Sequence, residues 1–273
     1  MLKRKFILLT IMNRTYIVIT VVLTIMAIAL TITTVSSTTI VSHPLIKYYG
    51  VKGQVYSLNW AGYAVPAHEY TVTSVAGSFI VPSLTCTKQT TYVALWAGID
   101  GYNDSTVEQA GVLGECSGGK PTYSAWYEFY PSPAVFISGF TVKPGDKIYV
   151  NVTYIGNGEF QIVIKDVTEN EAYTVTGSVS NALLSSAECI LERPTVNGQL
   201  TTLANFGTAY FGQDYTNVMG TCYATVSGST KAFGAFPSVV EIIMTAYNGK
   251  ILAEPSSLTS DGTSFTVTYV GGK

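Results

Sequence analysis

One pattern limits what this chain can become: short stretches of alternating apolar and polar residues, repeated from Tyr70 to Val270 with no helical period between them. In residues 147–155, Ile148, Val150 and Val152 alternate with Tyr149, Asn151 and Thr153. Period-two alternation puts successive side chains on opposite faces of a strand. The same reading applies to 70–81, 91–99, 122–130, 134–142, 159–167 and 171–179, then to 187–192, 205–211, 220–226, 239–247, 250–253 and 264–270. Turn chemistry separates these runs at Lys143-Pro144-Gly145-Asp146, Gly156-Asn157-Gly158, Asn248-Gly249 and Ser260-Asp261-Gly262. Asn-Gly between 239–247 and 250–253 predicts a tight hairpin. About a dozen short strands with no amphipathic helix can bury a core only as packed sheets. The expected fold is all-β, a sandwich of two large antiparallel sheets of jelly-roll or lectin-like type. That class hosts lectins, glycosidases and peptidases alike, so function has to be read from particular residues.

The N-terminus does not share this pattern. Lys3, Arg4, Lys5 and Arg14 precede an uncharged run from Thr15 to Ser42, apolar at its centre and followed by small residues. Residues 1–37 therefore read as an export signal or, being long enough to span a bilayer, as a membrane anchor. Residues 38–56 carry His43, Lys47 and Lys52 but no acid, which suits a short linker or a basic pro-segment. The β domain is expected over 57–273, outside the cytoplasm, secreted or tethered to the membrane, and as a monomer. Of 15 Lys+Arg, four lie at the N-terminus, leaving 11 against 17 Asp+Glu. No basic stripe remains, so a nucleic-acid partner is not expected.

Charge is sparse, 12% of residues, yet acids interrupt the strand-like run Ser186-Ala187-Glu188-Cys189-Ile190-Leu191-Glu192. As a strand it turns Glu188, Ile190 and Glu192 to one face and Ala187, Cys189 and Leu191 to the other. Taken alone, the two acids fit the solvated face of a sheet. If desolvated, Glu188 would hold a raised pKa suited to proton transfer. Four strand steps separate the two glutamates by roughly 13 Å, so any partner for Glu188 must come from another strand.

Four cysteines in an exported chain point to disulfides, with Cys86–Cys116 the expected bridge and Cys189–Cys222 a weaker second pair. No Cys-x-x-Cys spacing supports a metal site. His43 and His68 are the only histidines, both in surface-like segments, which disfavours Ser-His or Cys-His catalysis. Asn103-Asp104-Ser105 and Asn151-Val152-Thr153 match the glycosylation acceptor pattern.

Aromatic and acidic residues gather in Asn59-Trp60-Ala61-Gly62-Tyr63, in Trp96-Ala97-Gly98-Ile99-Asp100-Gly101 with Glu108-Gln109-Ala110-Gly111, and in Trp126-Tyr127-Glu128-Phe129-Tyr130-Pro131. In the last of these a strand aligns Trp126, Glu128 and Tyr130 on one face. Aromatics interleaved with acids on a sheet make a groove for an extended polymer, polypeptide or glycan.

Together with Ala187-Glu188-Cys189-Ile190-Leu191-Glu192 and Leu203-Ala204-Asn205-Phe206-Gly207, these segments resemble, in order, the eqolisins, the glutamic peptidases. The resemblance implies two antiparallel sheets with a catalytic Gln–Glu dyad on a concave face. By motif the dyad is Gln109 and Glu188, and Trp60, Trp96, Asp100, Trp126 and Glu128 are the substrate-binding positions. The sequence departs from the family at Cys189, where a tryptophan usually follows the catalytic glutamate.

The chemistry is coherent without the resemblance. A carboxylate can take a proton from water and return it to the leaving amine, while a glutamine amide stays a donor at any working pH. No metal and no organic cofactor is required. The expected activity is that of an acid-active endopeptidase on polypeptide substrates. The rivals are a jelly-roll glycosidase using Glu128 and Glu188, whose carboxyls would sit roughly 5–9.5 Å apart, and a non-enzymatic carbohydrate-binding or adhesion module.

Overall fold

The computed structural model describes residues 54–272 together with Ile40–Val41 and Lys47–Tyr48. The segment expected as leader, 1–37, lies outside the described residues, as does most of 38–56, His43 included. Among the described residues no helix is long and apolar enough to cross a membrane.

The domain is built from strands β1 (Gln54–Ser57), β2 (Trp60–Pro66), β3 (Val72–Ile80), β4 (Thr91–Ile99), β5 (Val107–Ser117), β6 (Lys120–Tyr130), β7 (Lys147–Gly156) and β8 (Glu159–Asp166). It continues with β9 (Glu171–Ser178), β10 (Ser186–Glu192), β11 (Thr208–Gly212), β12 (Tyr223–Val226), β13 (Ser229–Ala232), β14 (Val240–Thr245), β15 (Ile251–Pro255) and β16 (Ser264–Tyr269). One sheet runs β6-β5-β4-β10-β2-β14-β1, antiparallel except for the parallel β14–β1 edge. The other runs β9-β8-β7-β3, with β3 continuing into both β12 and β11, and β11 into β16 and β15. The β14–β15 hairpin joins the two sheets at one corner, with Gly249 N–H donating to the Ala246 carbonyl in the Asn248-Gly249 turn.

Strands β3, β7 and β8 lie across β4, β5 and β10, and the apolar faces between them form the main core. Leu95, Ala97, Ile99, Ala187, Cys189 and Leu191 point into it from the first sheet, Phe79, Ile148, Val150, Phe160 and Ile162 from the second. This is the alternation of the sequence turned inward. The first sheet has a second apolar cluster on its outer face, made of Trp60, Ala64, Trp96, Tyr102, Val107, Leu113, Trp126 and Ile190.

Several expectations need correcting. Residues 134–142 form a strand only at Val135–Phe136; beyond it the chain turns, with Phe140 N–H donating to the Ile137 carbonyl at 3.4 Å. Strands β2 and β5 were not legible. In β5 both faces are buried and Gly111 and Gly114 interrupt the apolar residues, so no alternation survives. Glu188 and Glu192 do share a face, but it is not solvated: every residue of β10 is buried. Cys86 and Cys116 are bridged, their Cα atoms 5.3 Å apart, whereas Cys189 and Cys222 are free, buried thiols. Asn103 is exposed, while Asn151 is half-buried with its amide donating to the Val75 carbonyl at 3.1 Å.

Candidate active site

Strand register brings distant residues into one row. Glu128 on β6 pairs with Gln109 on β5, Gln109 with Gly98 on β4, Gly98 with Glu188 on β10, and Glu188 with Ala64 on β2. Directly paired residues project from the same face, here the outer face, away from the main core. The next row holds Trp126, Gly111, Trp96, Ile190 and Gly62.

Gly98 makes the row usable. With strands about 4.8 Å apart, the backbones at Gln109 and Glu188 stand about 10 Å apart across β4. A Cβ at Gly98 would lie 2.8 Å from the Gln109 Cβ and 3.2 Å from Trp96 Cζ3. The bare backbone therefore leaves space into which an amide and a carboxyl can both reach.

Glu128, Gln109 and Glu188 are all fully buried. The Gln109 amide Nε2 donates to Glu128 Oε2 at 2.6 Å, which orients it, while its carbonyl oxygen meets no donor among the described residues. Neither carboxyl oxygen of Glu188 has a hydrogen-bond partner of good geometry. A carboxyl so placed costs free energy when charged. Burial accordingly pushes Glu188 well above the ordinary carboxyl range, and the charges of Asp100, Asp104 and Glu108 add to the shift. The nearby Ser186 hydroxyl opposes it.

Those three acids form a cluster at the end of the row. Asp100 Oδ1 accepts from Ser185 N at 2.6 Å and Oδ2 from Leu184 N at 2.8 Å, so its carboxyl anchors the chain entering β10. Asp104 Oδ1 accepts from Gly101 N at 2.6 Å. Burial, then the Asp100 charge, push Asp104 up to about 7. Burial raises Asp100. Glu108 points away from Gln109 and has both carboxyl oxygens unpartnered; burial followed by Asp100 and Asp104 raises it well above its usual value. Sequence reasoning does not single out Asp104 or Glu108. The available signal was the closeness of three acids to Gln109.

Glu192 has a different task. Its Oε2 accepts from the Trp96 indole at 2.8 Å and its Oε1 from Asn59 Nδ2 at 3.5 Å. Trp96 in turn meets Trp60 edge-to-face, ring centroids 4.9 Å apart. Among the described residues the buried indole N–H groups of Trp60 and Trp126 meet no acceptor. Among the described residues no group of three His, Cys, Asp or Glu is arranged to hold a metal ion. A cleft of about 400 Å³ near the end of β2, lined by Pro66, His68, Thr71, Val226 and Phe236, carries no acid.

This arrangement can be set beside known proteins. The peptidase A4 family matches residues 58–269. Aspergillopepsin-2 from Aspergillus niger is 30% identical over 249 residues, 83% of this chain and 82% of its own. Scytalidopepsin B from Scytalidium lignicola is 31% identical over 140 residues, 49% of this chain and 51% of its own. Among solved structures, scytalido-glutamic peptidase with a transition-state analog inhibitor superposes with a TM-score of 0.65 at 22% identity, covering 78% of this chain and 98% of that one. Aspergilloglutamic peptidase from Aspergillus niger gives 0.57 at 31% identity, covering 66% and 99%. With the family matched across most of the domain and a relative 30% identical across most of both chains, this protein belongs to the peptidase A4 family, the eqolisins or glutamic peptidases, whose substrates are polypeptides.

Proposed function

We propose that the protein is an exported, acid-active endopeptidase in which Glu188 is the general base and Gln109 the stabiliser of the tetrahedral oxyanion. The observation that carries this reading is a buried carboxyl whose oxygens meet no hydrogen-bond partner of good geometry among the described residues, one glycine-floored strand from an amide held by Glu128. Ionised Glu188 would take a proton from the attacking water and return it to the leaving amine. Gln109 would donate its second amide hydrogen to the developing oxyanion, and its carbonyl would hold the water.

Acid suits this cluster. Burial above all raises Asp100, Asp104 and Glu108, so protonating them as the pH falls would remove negative charge that raises Glu188. Activity would fall on the acid side as Glu188 is protonated. It would fall again as the neighbouring acids ionise, a bell whose limbs belong to the coupled cluster rather than to one residue. For the glycosidase alternative, Glu128 and Glu188 stand three strand spacings apart, about 14 Å at the backbone, with Gln109 between them.

The test is peptide turnover across pH for Glu188→Gln, Gln109→Ala and Glu192→Gln, with circular dichroism to verify folding. The first two are expected to lose nearly all activity, about 10²–10³-fold for the lost oxyanion donor, and the third far less. Wild-type turnover in folded Glu188→Gln would overturn the assignment.

A further inference from the structure

The row that holds Gln109 and Glu188 ends beside a cleft. Ala64 on β2 pairs with Glu188 on one side and with Val240 on the other. Two residues further along β2, Pro66 pairs with Ser186 and falls on the same face as Ala64. Val240 is the first residue of β14, so that strand has no residue opposite Pro66. Pro66 and the chain entering β14 are separated there by the cleft of about 400 Å³, whose walls include Pro66, Ala67, His68, Val226, Phe236 and Ser238.

Backbone hydrogen bonds tie these walls together. Ala67 N–H donates to the Ser185 carbonyl at 2.8 Å, Ser227 N–H to the Thr71 carbonyl at 2.8 Å and Val239 N–H to the Phe236 carbonyl at 3.1 Å. A cleft held in this way is formed before anything enters it, as binding pockets usually are. Its chemistry is mainly apolar. Pro66, Ala67, Val226 and Phe236 supply hydrocarbon, and among the described residues no Asp, Glu, Lys or Arg lines it. The Thr71 hydroxyl is already committed to the His68 carbonyl at 2.6 Å.

Strand geometry sets its distance from the reacting bond. From Gly98, two strand spacings lead through Glu188 to Ala64, and two residues lead on to Pro66, about 12 Å in all. An extended polypeptide covers about 6.6 Å in two residues, and a leucine or phenylalanine side chain spans the remainder. Trp126 and Glu128 lie on the opposite flank, on β6 beyond Gln109.

We propose that this cleft is a specificity subsite of the peptidase: it receives a large apolar side chain of the polypeptide substrate, two residues from the scissile bond, on the flank away from Trp126 and Glu128. The inference rests on the reading of Gln109 and Glu188 as the dyad. None of the residues walling the cleft belongs to the motifs that carry the family resemblance.

The experiment measures kcat/KM of the full-length protein on two series of peptides, one varied at the second residue before the cleaved bond and one at the second residue after it. In one series leucine or phenylalanine should give a kcat/KM at least about 10-fold above glycine, and the series that responds identifies the flank. Ser238 is exposed, so Ser238→Trp can plug the cleft from its rim and should bring leucine, phenylalanine and glycine close to equality. Phe236→Ala should lower kcat/KM on the phenylalanine peptide by about 10-fold. Thermal melting verifies that both variants fold. A wild-type protein indifferent to both positions, or a preference unchanged in folded Ser238→Trp, would overturn the proposal. Failure of the dyad would show separately, as wild-type turnover in folded Glu188→Gln, and would overturn the placement of the cleft beside the reacting bond.

Discussion

The Gln109 side-chain amide donates to Glu128 Oε2 at 2.6 Å, from one strand to its neighbour and wholly out of solvent. Glu128 thereby decides which way the amide faces. Replacing Glu128 with Leu would free the amide to rotate, and misplacement of a reacting group by about 1 Å costs on the order of 10²-fold. We expect kcat to fall by about that factor in Glu128→Leu with KM little changed, measured on a peptide substrate. Equal kcat in the variant would show that Gln109 is oriented by something else.

Gly98 is the floor between amide and carboxyl. In Gly98→Ala the added methyl would sit 2.8 Å from the Gln109 Cβ and 3.0 Å from the Glu108 carbonyl oxygen, a backbone atom that cannot swing aside. Overpacking of this kind costs about 1–3 kcal/mol, and here the strain falls on Gln109. Activity should drop further than the melting temperature suggests, because the displaced group is the proposed oxyanion donor. Side-by-side turnover and melting curves test this.

Stability should decline from acid toward neutral pH. Asp104 has a folded pKa of about 7 against an ordinary value of 3.8, and Asp100, Glu108 and Glu188 are shifted the same way. The folded state holds these protons more tightly than the unfolded chain. Stability is thus fullest below the unfolded carboxyl pKa, near 4, and is lost as pH rises through about 7. Asp104→Asn keeps an acceptor for Gly101 N–H but cannot ionise, so its melting temperature should vary less over that window. A wild-type melting temperature that rises between pH 4 and 7 would contradict the sign.

Cysteine mapping should find one bridge and two thiols. Cys86–Cys116 closes a separation of 30 residues, so replacing both cysteines with Ala should cost about 3–4 kcal/mol in the chain-entropy view. Burial first, then Cys222, raise the Cys189 thiol well above its usual pKa. It should resist alkylation in the folded protein and react once the chain is unfolded. Rapid labelling of Cys189 under native conditions would contradict the packing behind Glu188.

Much of the architecture was legible because strand alternation is local. β4, β7, β8, β9 and β16 match their sequence patterns to within about a residue or two, the usual uncertainty of strand ends. β5 was not legible: buried on both faces and broken by two glycines, it has no alternation to read. That strand carries Gln109, so its face could not be assigned from the residues around it. Glu192 was misjudged for a related reason. An acid spaced two residues from Ile190 looks solvent-facing until a tryptophan from β4 is known to need an acceptor.

By itself the sequence determined that the chain would form antiparallel sheets, that Glu188 and Glu192 would share a face, and that Cys86 could reach Cys116. Each follows from local sterics or from redox chemistry that needs no partner strand. Only the tertiary structure decided that Gln109, Gly98 and Glu188 fall in one row and that the row is buried. Register between β4 and β10 is set by hydrogen bonds between strands far apart in sequence, Gly98 facing Glu188, and by the packing of both faces at once. A one-residue slip would send Glu188 into the main core, and no local pattern encodes which register the sheets choose.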